Sequence, residues 1–144
     1  MIKVLTAGGF DIIHTGHIFR LKVAKAFGDY LVVNITPDNR MKRKGENRPY
    51  LSQDERWVIV SNIKGVDEVV CVPSNGEEHF QYEMKIVNFV KPDVFLTERY
   101  DKKLDDYCQK MGCKLFILED MPGIDKKHSS DIFDSNYKMI KVVN

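Results

Sequence analysis

The stretch GGFDIIHTGH, residues 8–17, sets two histidines three positions apart around a glycine, directly after an apolar run, in a chain that has only four histidines. Gly8 and Gly9 let the backbone turn sharply and approach a ligand, while Gly16 keeps the helix entrance free of a side chain. A helix starting near residues 15–17 points its free N–H groups and the positive end of its dipole at the same place, which favours phosphate. His14 and His17 flank that place, and even a neutral imidazole donates one N–H. A unit charge about 4 Å from a phosphoryl charge gains roughly 4 kcal/mol at an effective dielectric of about 20, against about 1 kcal/mol in bulk water. Position at a partly dry helix mouth therefore decides what the histidines contribute. The dipole lowers a histidine pKa and a bound triphosphate raises it, so protonation is coupled to binding. Neither a G-x-G-x-x-G fingerprint nor a G-x-x-x-x-G-K-[ST] loop is present, so the histidines rather than a P-loop lysine meet the phosphates. Two plainer readings stand beside this one. One is incidental polarity at a helix cap; the other is metal binding, for which Asp11 is the one further ligand in the region.

These residues need a scaffold, and the hydrophobic pattern supplies it. IKVLTA (residues 2–7) reads as a buried strand, followed by a helix over residues 17–27 with Ile18, Leu21, Ala24 and Phe27 on one face and Gly28 as a left-handed cap. YLVVNIT (residues 30–36) is a second strand, ended by Pro37-Asp38. The basic loop DNRMKRKGENRPY is too long for a simple connector and invites a functional reading. Ser52-Gln53-Asp54-Glu55 is a capping box for a helix to about Ile63. Strands at residues 67–72, 93–97 and 113–119 alternate with helices over residues 77–90 and 101–111, and a final helix begins near Ser129. Continuous apolar strands joined by helical crossovers make a five-stranded parallel sheet covered on both faces, a doubly wound three-layer α/β/α sandwich. Ligands bind outside the carboxyl ends of such strands, and the ends of the first, second, fourth and fifth strands carry polar or glycine-rich sequence.

Composition bounds the rest. At 144 residues the chain reads as a single domain, residues 1–144, large enough for a core without metals or disulfides. A net charge of +1 exerts no overall pull on polyanions, so any anion site is local. The basic loop without interleaved aromatics gives little support to nucleic-acid binding. Three cysteines without a C-x-x-C pair support neither a zinc cluster nor a disulfide framework and fit a reducing cytosol. No window is apolar for long enough to span a membrane or serve as a signal peptide, so a cytoplasmic chain is expected.

GGFDIIHTGHI resembles the G-[TCG]-F-D-x-x-H-x-G-H signature of the nucleotidylyltransferase superfamily, the cytidylyltransferase-like group with a Rossmann-like fold. FGDYLVVNITPD resembles its second-strand segment, and HSSDI its S-[ST]-[ST]-x-I motif. KGENRPYLSQDERWVIVSNIKGVDEVV is similar to the corresponding segment of the adenylyltransferase domain of ADP-heptose synthases. The resemblance implies transfer of a nucleotidyl group from ATP, or from CTP, to a phosphorylated small molecule with release of pyrophosphate, Mg2+ accompanying the triphosphate, in a homodimer. A heptose 1-phosphate-like sugar phosphate is the leading acceptor. Glycerol 3-phosphate with CTP, FMN with ATP, and a nucleotide-sensing module without turnover are the alternatives.

The resemblance also assigns residues. His14, His17 and Lys44 are the implied catalytic groups, with Lys42 a weaker loop candidate. Gly8, Gly9, Phe10, Asp11, Gly16, Arg56, Ser129 and Ser130 are the implied nucleotide-binding residues, and Asp38 and Arg99 are placed near the acceptor. No metal-ligating side chain is implied. The chain departs from the pattern at His128, where the first serine of S-[ST]-[ST] is usual. Thr97-Glu98-Arg99-Tyr100 replaces a glycine-rich segment that in the family helps receive the base or the acceptor.

Overall fold

A computed structural model describes residues 1–118 and 140–143 of the chain. The order is β1 (Lys3–Gly8), α1 (Thr15–Lys25), β2 (Tyr30–Ile35), α2 (Asp38–Met41), a 3-10 turn (Lys42–Lys44) and α3 (Gln53–Ser61), continuing with β3 (Glu68–Val70), α4 (His79–Val90), β4 (Val94–Thr97), α5 (Lys102–Lys110), β5 (Lys114–Leu118) and β6 (Ile140–Val143). The strands form one sheet in the order β3-β2-β1-β4-β5-β6. The first five are parallel and flanked by helices, as the alternation of strand and helix patterns requires, and β6 adds an antiparallel edge to β5 that the sequence reading does not contain. The expected final helix near Ser129 lies outside the described residues.

Side chains alternate across the sheet, so each parallel strand feeds two cores. Leu5, Val32, Phe95 and Leu115 pack with Tyr82, Ile86 and Val87 of α4 and Leu104 and Cys108 of α5. Val4, Leu31, Val33 and Leu96 pack on the other face with Leu21 and Ala24 of α1 and Val60 of α3. Burial of both faces is why the strands read as near-continuous apolar runs. The apolar stripe of α4 is thus core, whereas Trp57 on α3 remains 40% exposed.

Two helix ends separate into different causes. Gly112 has φ of +73° and ends α5 as a left-handed residue. Gly28 does not adopt the left-handed conformation expected of it; a Cβ there would lie 2.6 Å from the Ile2 carbonyl oxygen and 2.8 Å from Val4 Cγ2, so close packing of the helix exit against β1 demands the glycine. The capping box of α3 forms as expected, with Ser52 Oγ accepting from the Glu55 N–H and Glu55 Oε2 accepting from the Ser52 N–H, each at 3.2 Å.

The loops beyond β1 and β2 are held by two buried ionic clamps. The Asp11 carboxylate accepts from the Tyr50 N–H (2.8 Å), the Leu51 N–H (2.9 Å) and Arg48 Nε (3.0 Å), fastening the end of the basic loop onto the turn after β1. Burial works to raise its pKa, but those donors outweigh burial and hold it below the ordinary carboxylate value. Arg56 is wholly buried and donates to the carbonyls of Leu51 (3.0 Å), Gly9 (3.0 Å) and Thr36 (2.6 Å) and to Asp38 Oδ1 (2.7 Å). Asp38 Oδ1 also accepts from the Gln53 N–H at 2.8 Å.

Arg56 and Asp38, expected beside nucleotide and acceptor, are here paired with each other and with backbone beneath the site, and neither lines the cleft that opens above. Arg56→Met takes a buried donor from three carbonyls and leaves Asp38 with the Gln53 N–H and solvent, and is expected to lower unfolding free energy by about 1–3 kcal/mol, read from urea unfolding. A variant of wild-type stability that loses only ATP affinity would restore the contact role.

Candidate active site

The carboxyl ends of the central strands stand level. Gly8 pairs in register with Ile35, and Thr6 with Leu96, so the turns after β1, β2 and β4 open at one edge of the sheet. Between the α1 and α4 layers this edge forms a cleft of about 820 Å³. The size suits a nucleotide-scale ligand.

One end of the cleft is the N-terminus of α1, and its geometry explains the spacing of the two histidines. His14 is the N-cap, and its Nδ1 accepts from the Gly16 N–H at 3.0 Å. His17 stands at the third helical position, and its Nδ1 accepts from the His14 N–H at 3.0 Å. The pair thus performs the reciprocal job that serine and glutamate perform on α3. An Nδ1 that accepts a backbone N–H carries a lone pair, so each ring proton resides on Nε2 and each imidazole keeps one outward donor. The rings lie 4.0 Å apart between centroids, and His17 also leans on Phe10 at 5.3 Å.

The neighbouring glycines serve this cap. A Cβ on Gly16 would stand 2.8 Å from His14 Cε1, so any other residue would push the imidazole off its N–H. A Cβ on Gly9 would stand 2.8 Å from Met41 Cε and 3.4 Å from Lys44 Nζ. Met41 is fully buried and anchors the basic loop, so the bare Gly9 backbone is what lets Lys44 approach the histidine end of the cleft. Phe10 takes φ of +54° with its ring buried, reversing the chain between β1 and the cap.

The electrostatics favour an anion. Burial first, then His14, Arg20 and Lys44, pushes the His17 pKa down to about 4, so the ring is a neutral Nε2–H donor at pH 7. Lys44 lines the cleft, and desolvation together with Arg48 and Arg20 holds its pKa below the ordinary lysine value. An approaching phosphate relieves all of these charges at once.

His14, His17 and Lys44 therefore converge, with Gly8, Gly9, Phe10, Asp11 and Gly16 forming the wall around them. Arg99 also lines the cleft, at another part of its wall, while Arg56, Asp38 and Lys42 are not among the lining residues. Ser129 and Ser130 lie outside the described residues. Asp11 lines the cleft but turns its carboxylate to the loop backbone, which makes it a holder of the turn.

The sequence reading missed Arg20, Arg40, Arg43, His79, Glu83 and Glu98, which also line the cleft. Arg20 is buried and pairs with Glu98 at 2.8 Å, and also donates to the Ala7 carbonyl. Glu83 is buried, accepts from Thr97 Oγ1 at 3.0 Å and faces His79 Nε2 at 3.2 Å. Burial pushes its pKa up to about 7. A signal for both was available: Arg20 beside Leu21 and Ala24, and Glu83 beside Tyr82 and Ile86, are charges on otherwise apolar helix faces.

A FAD synthase from Aciduliprofundum boonei is 30% identical over 148 aligned residues, covering 100% of this chain and 92% of that protein. A FAD synthase from Thermoplasma volcanium is 39% identical over 106 residues, 74% of this chain and 69% of the relative. The bifunctional protein HldE of Aliarcobacter butzleri is 38% identical over 94 residues, 65% of this chain but only 18% of that longer protein. Among solved structures, a lipopolysaccharide core biosynthesis protein from Thermoplasma volcanium superposes with a TM-score of 0.67 at 32% identity, covering 83% of this chain and 95% of the other. The cytidylyltransferase-like family model matches residues 5–141, and with the two-histidine cap at the mouth of a Rossmann-like sheet the chain belongs to that family of nucleotidyltransferases.

Proposed function

We propose that this chain transfers an adenylyl group from ATP to a phosphorylated small molecule. The observation that carries the reading is the pair of Nε2–H donors locked at the N-terminus of α1, with Lys44 beside them in the same cleft. A phosphate oxygen of the acceptor attacks the α-phosphorus. The bond from that phosphorus to the oxygen bridging to the β-phosphate breaks, and pyrophosphate leaves with the electron pair. The acceptor phosphate is already anionic, so no general base is required, and the residues act by placement and charge stabilisation.

Magnesium enters this proposal as part of the MgATP substrate. Among the described residues no three His, Cys, Asp or Glu side chains come together as a ligand set, and Asp11 is taken up by backbone and Arg48. No helix among the described residues is long and apolar enough to cross a membrane.

For the acceptor, the leading reading is a sugar phosphate of the heptose 1-phosphate kind, supported by the identity of the aligned 94 residues to HldE. FMN is the second reading, supported by a relative named FAD synthase that aligns along 100% of this chain. A pyrophosphate-release screen crossing ATP and CTP with heptose 1-phosphate, glycerol 3-phosphate and FMN decides nucleotide and acceptor together. The expected result is release with ATP and one acceptor; nucleotide binding without release in any pairing would mark a sensing module instead.

His17→Ala removes one of the two donors and is expected to lower turnover by about 10²–10³, with unchanged turnover contradicting its role. Acid stability gives a second check. The folded pKa of His17 is depressed, so below about 6.5 the unfolded chain takes up a proton that the native chain refuses until about pH 4. This group makes stability fall as pH drops through that window. Glu83 acts oppositely, its raised pKa adding stability at low pH that is lost as pH rises through about 7. Urea unfolding at pH 7 and pH 5 should therefore show a smaller acid loss in His17→Gln than in wild type, and an equal loss would refute the depressed pKa.

A further inference from the structure

The far wall of the cleft holds positive groups that the triphosphate end does not use. Arg40 is only 7% exposed and its guanidinium is built in place. It lies 4.3 Å above the Tyr82 ring and donates to Ser74 Oγ (3.2 Å) and the Glu77 carbonyl (2.7 Å). Tyr82 is fixed in turn, its hydroxyl donating to the Val72 carbonyl at 2.6 Å and accepting from Asn34 Nδ2 at 3.2 Å. Arg43 donates to the same Glu77 carbonyl at 3.0 Å, which holds the two guanidinium groups side by side. Arg99 enters from the turn after β4, and His79 from the start of α4.

The carboxylates nearby do not balance this charge. Glu77 is occupied by Lys85 (2.8 Å), Ser74 (3.0 Å) and the Asn75 N–H (2.6 Å). Glu83 is half neutral near pH 7 because burial raises its pKa to about 7. Asp101 spends its carboxylate on the N–H groups of Lys103 and Leu104, and His79 is held below its ordinary pKa by burial and then by Arg99, Arg40 and Arg43, with Asp101 opposing them. Two adjacent guanidinium groups, one immobilised by stacking and hydrogen bonds, present fixed donors suited to a phosphate monoester.

We infer that Arg40, Arg43, Arg99 and His79 form a second anion seat, across the cleft from the histidine pair, that receives the phosphate of the acceptor. The inference rests on the nucleotidyl-transfer reading for the identity of its ligand, and it names what that reading leaves open, the residues that select a phosphorylated acceptor. The seat replaces the glycine-rich segment expected after β4 with one that carries Arg99, so the departure in Thr97-Glu98-Arg99-Tyr100 has a chemical purpose. Glu98, next to Arg99, is turned to Arg20 at 2.8 Å and leaves the seat positive.

The test uses exposed members so that folding is not at stake. Wild type and Arg43→Gln/Arg99→Gln are titrated calorimetrically with ATP, with heptose 1-phosphate, glycerol 3-phosphate and FMN, and with heptose, glycerol and riboflavin. At least one phosphomonoester is expected to bind wild type, at least tenfold tighter than its unphosphorylated parent. The double variant is expected to weaken that binding at least tenfold while its affinity for ATP stays within twofold. Binding of no phosphomonoester, equal binding of the parent, an unchanged acceptor affinity in the variant, or a loss falling on ATP instead would each overturn the seat. Failure of the transfer reading would show separately, as both ligands binding wild type without release of pyrophosphate.

Discussion

The reciprocal cap between His14 and His17 is the interaction on which the site depends. Each imidazole gives its Nδ1 to a backbone N–H of the helix entrance, and each is thereby oriented with its remaining donor outward. A helix needs its first N–H groups satisfied in any case, so the same two rings cap the helix through Nδ1 and keep a donor free on Nε2. The sequence constraints nearby follow. Gly16 lacks a Cβ because His14 covers it, Gly9 lacks one because Met41 and Lys44 close over it, and Phe10 is buried to reverse the chain.

Beneath the cap, Arg56 and Asp11 convert flexible loops into a fixed wall. Arg56 joins the turns after β1 and β2 to the start of α3, and Asp11 fastens residues 48–51 to the turn after β1. The basic loop, which carries Lys44 toward one end of the cleft and Arg40 and Arg43 toward the other, is held by these contacts and by the buried Met41. Rigid placement matters because charge stabilisation without covalent chemistry is only as good as the geometry that is already present when substrate arrives.

Much of this is legible in the sequence. Continuous apolar strands and 3.6-residue periodicity give the five parallel strands and the two-faced core, and the capping box of α3 is readable residue by residue. The residue types and spacing of the HxGH stretch leave cap polarity and metal binding open beside an anion site, and the resemblance to the nucleotidylyltransferases is what singles out phosphate chemistry. Other features turn on direction, which a linear string does not carry. The arginine of the E-R pair is basic in either role, but only the fold shows it pointing inward to Gly9 and Thr36. Gly28 reads as a helix cap by position, yet its cause is the Ile2 carbonyl just before β1. Arg40, His79 and Arg99 come from three separate connections, and nothing local joins them; the sheet order does. Glu83 and Arg20 were readable in principle as charges on apolar helix faces.

The central claim is a tautomer. Long-range 1H–15N correlation spectra of the imidazole side chains at pH 7, assigned through His14→Gln and His17→Gln, report which ring nitrogen carries the proton. Nε2–H is expected for both histidines and no imidazolium for His17 in the ligand-free protein, with the Nε2 signals moving on addition of ATP. An Nδ1–H tautomer at either residue, or a charged His17 at pH 7, would contradict it, because the outward donors would then not be set by the helix cap.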